Sequence, residues 1–368
     1  MQSALKLIRD ARQLPGFQHE TAAGAEFVLL QALCSAATAC RDYDLATDTC
    51  DQIENFGAGE GNSLARGSAL NHRGQICQER HRYTEALSYY EDSLRAYQEA
   101  DAPPALQSAI RHNIGIARSY VGRAKEGLSD LQYDLDECRR RGDIQGEAHT
   151  LNSIGLAKSR AGDVHGAELA LREAIDKFVE CHDIREEANA QNDLGIILRN
   201  FLDKPHEALE RHQRDLAICY QLEDRRGSAR AHIQIAACIA VIDTMSSARA
   251  FEHLRKVRML VYIDTDPVVV SHACMVEGDI HADDGQFETA RAAYADAIRL
   301  AEKGGDAAGQ ALTMVKLSGV LEKLGRHEEA LSLLTHATEI AADGHLIDEK
   351  TAAFLLLTES DAEERFQE

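Results

Sequence analysis

A small residue returns along this chain at a nearly constant interval. It stands at Cys34, Gly74, Gly115, Gly155, Gly195, Ala236, Gly278 and Ser318, with successive spacings of 40, 41, 40, 40, 41, 42 and 40 residues. Twelve or thirteen residues after each comes a second one: Ala46, Ala86, Gly127, Ala167, Ala208, Ala248, Ala290 and Ala330. A period of this length means a stack of similar supersecondary units, each burying its apolar face against its neighbours. The 368 residues, which would otherwise suggest two globular domains, therefore read as an array growing in one dimension.

The repeat itself is legible. In ALNHRGQI and AAYADAIRLA the apolar residues recur at helical spacing, and strand-like alternation is absent. Gly122, Gly162, Gly285 and Gly325 each lie seven residues past the first small position, where a left-handed residue would end a first helix before a second begins. Helices joined so tightly pack antiparallel, and a small residue on each lets the backbones approach. Asp143, Asp183, Asp224 and Asp306 lie between repeats, placed to cap the next helix. Pro103, Pro104 and Pro267 fall between repeats, Pro205 in an internal turn and Pro15 ahead of the array, so none interrupts a helix.

The small positions, the G-(x6)-G spacing and the A-x3-Y/L pattern resemble the tetratricopeptide repeat. The segments RGQICQERHRYTEALSYY, IGLAKSRAGDVHGAELAL and EGDIHADDGQFETARAAY carry the likeness. The 40-residue period is similar to that of the longer-helix subclass found in kinesin light chain, spindle-orientation adaptors, and bacterial peptide receptors and regulators. The resemblance implies an all-α fold, a right-handed superhelical solenoid of about eight antiparallel helix pairs. Residues 1–24 are expected as an N-terminal helix or cap, 25–348 as the array, and 349–368 as a capping helix with an acidic tail. The chain departs from the family pattern in having no Trp, no proline ending each repeat, and a weak sixth repeat, AHIQIAACIAVIDTMSSARA.

Composition narrows the function. Forty Lys+Arg against 61 Asp+Glu give a net charge of −21, which argues against a sequence-independent grip on nucleic acid and against docking to an anionic membrane. No apolar run is long enough to span a bilayer, and the first residues lack the features of a signal peptide. Nine cysteines without a CxxC pair read as reduced thiols, and the expected location is cytoplasmic. No hydrolase, metalloprotease or P-loop motif is present, so no catalytic residue, metal or cofactor is expected and the chain does not read as an enzyme. His206 and His212 are six residues apart and do not share a helix face. Gly57, Gly59 and Gly61 in GAGEG follow no strand and read as a linker. Arg139, Arg140 and Arg141 close a second helix, where cations suit the macrodipole.

In the resembling family the first helix of each repeat lines a concave groove. The groove positions are then −6, −3, +1, +4 and +5 from the central small residue, which also form one helix face. Position −3 reads Gln31, Asn71, His112, Asn152, Asn192, Ile233, Met275 and Val315. Asparagine is a poor helix former, and its amide both donates and accepts. The resemblance implies that Asn71, Asn152 and Asn192 hold the backbone of an extended peptide; hydrogen bonding to a neighbouring helix is the competing role. Around them stand His149 and Asn189 at −6, Arg199 at +4, Arg160 and Asn200 at +5, Arg230 opening the sixth repeat, and Tyr120 as an aromatic wall. The expected groove has a polar, arginine-bearing middle suited to an acidic or carboxylate-bearing peptide, and a more apolar, acidic C-terminal part. The expected function is a protein- or peptide-binding adaptor or receptor. The alternatives are a scaffold or self-associating subunit, including a homo-oligomer, or a bacterial signal-sensing regulator acting on a separate effector.

Overall fold

The computed structural model describes residues 19–57, 63–242 and 247–343. Among them stand sixteen α-helices and no strand. They follow one another as eight pairs. The first three are α1 (His19–Ala39) with α2 (Tyr43–Gly57), α3 (Ser63–Glu79) with α4 (Tyr83–Glu99), and α5 (Pro104–Tyr120) with α6 (Ala124–Arg141). Next come α7 (Ile144–Arg160) with α8 (Val164–Glu180), and α9 (Ile184–Asn200) with α10 (Pro205–Gln221). The last three are α11 (Arg225–Ile242) with α12 (Ser247–Leu260), α13 (Pro267–Asp283) with α14 (Phe287–Gly304), and α15 (Ala307–Lys323) with α16 (His327–Asp343). The chain divides into two compact blocks, one ending at Arg140 and the other starting at Arg141. Repeats 1–3 lie in the first block and repeats 4–8 in the second. The expected C-terminal cap (349–368), most of the N-terminal segment (1–24), Pro15, Gly59 and Gly61 lie outside the described residues.

Close approach explains the period. A Cβ built on Gly74 would stand 2.5 Å from the Tyr90 ring, and one on Gly155 would stand 2.7 Å from Leu171 Cγ. The second small residue sits one turn before that bulky partner, so each pair reads small, then small-x3-bulky. Ala46, Ala86, Ala167, Ala208, Ala290 and Ala330 are all fully buried. In the sixth repeat the structure corrects the sequence reading. Ala248 is exposed, and the small residue against the first helix is Ala250, fully buried and four residues before the buried Leu254. Ala250 lies fourteen residues after Ala236, against twelve or thirteen in the other repeats, and this shifted register makes the repeat look weak.

The ends of the helices obey the expected chemistry. The side chains of Asp143, Asp183, Asp224 and Asp306 accept hydrogen bonds from the first-turn amides of Gly146, Glu186, Gly227 and Gly309, at 2.9, 3.2, 2.9 and 2.9 Å. The four turn glycines have φ between 73° and 84°. Equivalent left-handed positions in other repeats are held by Arg41, His81 and Asp203, so glycine is favoured there but not required. Pro104, Pro205 and Pro267 each open a helix, where the missing amide proton has no partner to lose. Seven of the nine cysteines, all free, are buried.

In the second block, consecutive repeats are joined by a recurring contact. Gln145 Nε2 donates to Asp183 (2.8 Å), Arg185 pairs with Asp224 (3.5 Å), Arg226 with Asp266 (3.3 Å) and His272 with Asp306 (3.0 Å). Each bridges the start of one first helix to the linker before the next. The aspartates that cap α11 and α15 thus also hold Arg185 and His272, and this places basic side chains in a row.

Candidate functional site

In the first block the expected groove residues are tied to one another. Asn71 Oδ1 accepts from Asn113 Nδ2 at 2.9 Å, linking position −3 of repeat 2 to position −2 of repeat 3. The His112 ring faces Asp134 Oδ2 at 2.9 Å, and Ser108 donates to the other oxygen of the same carboxylate. Tyr120 stacks flat on Tyr83, with centroids 3.9 Å apart and 1° between the planes. This set is organised by contacts within the array.

The second block repeats the −3 to −2 contact with a charge. Asn152 Nδ2 donates to Asp193 Oδ2 at 3.5 Å, and Asn192 Nδ2 donates to Asp193 Oδ1 at 3.4 Å. The two side-chain carbonyls, Asn152 Oδ1 and Asn192 Oδ1, have no hydrogen-bond partner in the protein. Burial pushes the Asp193 carboxyl above the usual range, against the pull of the two amides and of Arg230 and Arg160. Asn189 donates to Glu186 at 3.3 Å and accepts from Arg230 Nη2 at 3.1 Å. Arg199 Nε donates to Asn200 Oδ1 (3.0 Å), and its Nη1 to the Gln234 carbonyl (3.4 Å). His149 packs edge-on against Phe178, 5.1 Å between centroids.

The structure therefore gathers Asn152, Asn192, Asn189, Arg160 and Arg230 around Asp193, and places Asn200, which is exposed, beside Arg199. Position −6 also forms a row. Asn189, Arg230 and His272, from repeats 5, 6 and 7, line one cleft of about 420 Å³, together with Arg185 and Arg226. This volume lies within the roughly 300–1,000 Å³ of small-ligand sites.

Behind Arg230 lies a buried polar cluster. In the described repeats the bulky partner of the first small residue is apolar (Tyr90, Leu131, Leu171, Leu254, Tyr294, Leu334) or a cysteine (Cys50), except in repeat 5, where it is His212. The His212 ring is fully buried against Gly195, and neither ring nitrogen has a hydrogen-bond partner in the protein. Burial, reinforced by Arg199 and Arg230, pushes its pKa down to about 3, so the ring is neutral. Asp215, also fully buried, accepts from Cys219 Sγ at 3.2 Å and lies 3.9 Å from Arg230. Its desolvation outweighs these contacts and raises its pKa to about 6, and the same surroundings push the Cys219 thiol up to about 12. A buried polar group without a partner costs roughly 1–3 kcal/mol. Repeat 5 thus departs from the packing rule at the point where the cleft opens.

Several of these residues escaped the sequence reading. His272 stands at −6, and the offset rule applied to repeat 7 would have found it. Asp193 stands at −2, outside the chosen offsets. Arg185 and Arg226 belong to first turns, and only the linker contacts bring them to the cleft. Asp215 and His212 lie on a second helix, where the sequence offers no signal beyond the missing apolar residue.

The tetratricopeptide repeat family model matches residues 275–343. No curated protein sequence matches the chain. Among solved structures, the apo form of the quorum sensor NprR from B. thuringiensis is similar over 91% of this chain and 91% of its own, with a TM-score of 0.67 and 13% identity. Aspartyl phosphate phosphatase F from Bacillus subtilis is similar over 79% and 75%, with a TM-score of 0.63 and 8% identity. The Rap conjugation gene regulator of plasmid pLS20, in complex with the Phr* peptide, is similar over 79% of each chain, with a TM-score of 0.57 and 13% identity. At such identities the likeness is one of fold, and that fold carries a sensor, a phosphatase and a regulator alike. Among the described residues no helix is long and apolar enough to cross a membrane, and no group of three or more side chains is arranged to hold a metal ion. Residues 275–343 thus match the tetratricopeptide-repeat model, and the described helix pairs share the fold of these solved structures.

Proposed function

We propose that this chain is a non-catalytic receptor that holds an extended, carboxylate-bearing peptide against the first-helix face of repeats 4–7. The observation that carries the reading is the convergence of Asn189, Arg230 and His272 on one cleft, with Arg185 and Arg226 beside it. Arginine forks suit carboxylates, while the unpartnered carbonyls of Asn152 and Asn192 are buried, so a peptide reaches these two side chains only if they turn outward. The complex of the pLS20 regulator with a peptide supports a peptide as the class of partner. Asn71, His112 and Tyr120 are proposed as a separate contact region belonging to the first block. The net charge of −21 does not oppose an acidic ligand, because the cleft lining holds three arginines against Asp224.

Fluorescence polarisation with two pools of synthetic decapeptides, one rich in Asp and Glu and one rich in Lys and Arg, tests the proposal. The acidic pool should bind, and Arg230→Gln should weaken binding about tenfold, the size of one lost charge-assisted pair. Replacing Asn152 and Asn192 together by Ala should weaken it further while helicity is retained. Equal binding of both pools, or of neither, would remove the reading.

A further inference from the structure

The first repeat departs from the packing rule in its own way. Repeats 2–5 and 7 set a glycine against a bulky side chain sixteen or seventeen residues on, whereas repeat 1 sets Cys34 against Cys50. Both side chains are fully buried, one on α1 and one on α2, with their Sγ atoms 3.4 Å apart. A disulfide bond measures about 2.05 Å, so the sulfurs need to close by only about 1.4 Å to reach bonding distance. The hydrogen bonds order the pair. The Cys34 thiol donates to the Ala46 carbonyl at 3.4 Å, which leaves the Cys50 S–H to donate to Cys34. That bond holds the Cys34 thiol below its ordinary value, and together with burial it pushes Cys50 up. Cys34 is thus the thiolate-forming partner and Cys50 the one that keeps its proton. Full burial excludes bulky disulfide reagents, while a hydroperoxide is small enough to reach the sulfurs through local opening of the helix pair.

We propose that Cys34 and Cys50 form an oxidation site for a hydroperoxide, which converts the two thiols to a disulfide joining α1 to α2. With hydrogen peroxide, the Cys34 thiolate attacks one oxygen and the O–O bond breaks. Hydroxide leaves, takes up the proton that Cys34 gave up, and becomes water, while Cys34 becomes a sulfenic acid. The Cys50 sulfur then attacks the Cys34 sulfur, forming the S–S bond, and the sulfenic OH departs with the Cys50 proton as a second water. Two electrons pass from the sulfurs to the peroxide, and a thiol reductant reverses the step by exchange. The link spans sixteen residues and removes chain entropy from the opened state, so oxidation locks repeat 1 shut. The lock is independent of the peptide-receptor reading.

The test adds a slight excess of hydrogen peroxide to the full chain carrying Cys40→Ser, because Cys40 is exposed and shares the tryptic peptide of Cys34. Mass spectrometry should show the loss of two hydrogen atoms, and non-reducing tryptic mapping should place the link between Cys34 and Cys50. Amide exchange over α1 and α2 should slow by about a hundredfold, and dithiothreitol should restore the original rates. Cys34→Ala in the same background should show neither the link nor the slowing. Repeat 6 carries Ala236 at this position, and circular dichroism checks that the variant folds. Sulfinic acid at Cys34 in place of the link, a link between other cysteines alone, no reaction at either thiol, or unchanged exchange after linking would each overturn the proposal. Equal slowing in folded Cys34→Ala would do the same. The map and the exchange rates of the Cys40→Ser protein decide the matter even if Cys34→Ala does not fold.

Discussion

Asp215 offers a direct contest between desolvation and ion pairing. Its carboxyl is fully buried, with Arg230 at 3.9 Å and one oxygen lacking any hydrogen-bond partner in the protein. Burial wins, and the pKa rises from 3.8 to about 6. A carboxyl whose folded pKa is raised favours folding most at pH below 3.8, and that contribution is lost as the pH climbs through 6. At about 1.4 kcal/mol per pH unit, the gap amounts to roughly 3 kcal/mol of instability carried by the ionised group above pH 6. Asp215→Asn keeps the shape and removes the ionisation. The variant should therefore be more stable than the parent by about 1–3 kcal/mol at pH 7.5, with the difference vanishing near pH 4. Urea midpoints of both proteins at the two pH values measure it. Repeat arrays need not unfold in one step, so amide exchange over α10 supplies the local reading. A variant less stable than the parent at pH 7.5 would mean that the Arg230 pair outweighs desolvation, and the reasoning would fail.

Other expectations follow from the same contacts. His212→Leu restores the apolar partner used in other repeats and should raise stability by about 1–3 kcal/mol at pH 7. The gain should grow as the pH falls from 6.5 toward 3, because the parent loses stability while its unfolded histidine takes up a proton that the folded ring refuses; thermal melts across that range would show it. Asp143→Ala removes the acceptor for the Gly146 amide and should cost about 1 kcal/mol in urea denaturation. Gly155→Ala drives a Cβ to 2.7 Å from Leu171 Cγ and should cost about 1–3 kcal/mol, whereas Glu223→Gly, at φ 53°, should be neutral or stabilising by about 0.5–1 kcal/mol. Equal effects of these two substitutions on the melting temperature would contradict the packing account.

How much could be read without coordinates depends on how local the physics is. Helix pairing, caps and turns involve residues within a few positions of each other, so Asp143, Asp183, Asp224 and Asp306 were legible as caps, and the glycines as turns and close contacts. The sixth repeat was misregistered because Ala248 and Ala250 are both alanines two residues apart, and only burial distinguishes them. The candidate site was legible in part. Asn152, Asn192 and Arg230 stood out by their offsets, but their partner Asp193 lies a repeat away from Asn152, and the row Asn189–Arg230–His272 is visible only if the offset rule is carried into the seventh repeat.

The forty-residue period alone specifies paired helices, because one small residue on each helix is the condition for close antiparallel packing and the pattern meets it in seven of eight repeats, missing by two residues in the sixth. Which charged groups are desolvated is a different kind of fact. Asp215 and His212 occupy positions that look like any other on a helix. Their perturbed pKa values come from being enclosed by α9 and α11, elements whose nearest side chains lie up to about twenty residues away in sequence and are brought close by packing. Burial and field at a point sum over every neighbour, and a sequence lists neighbours only along the chain.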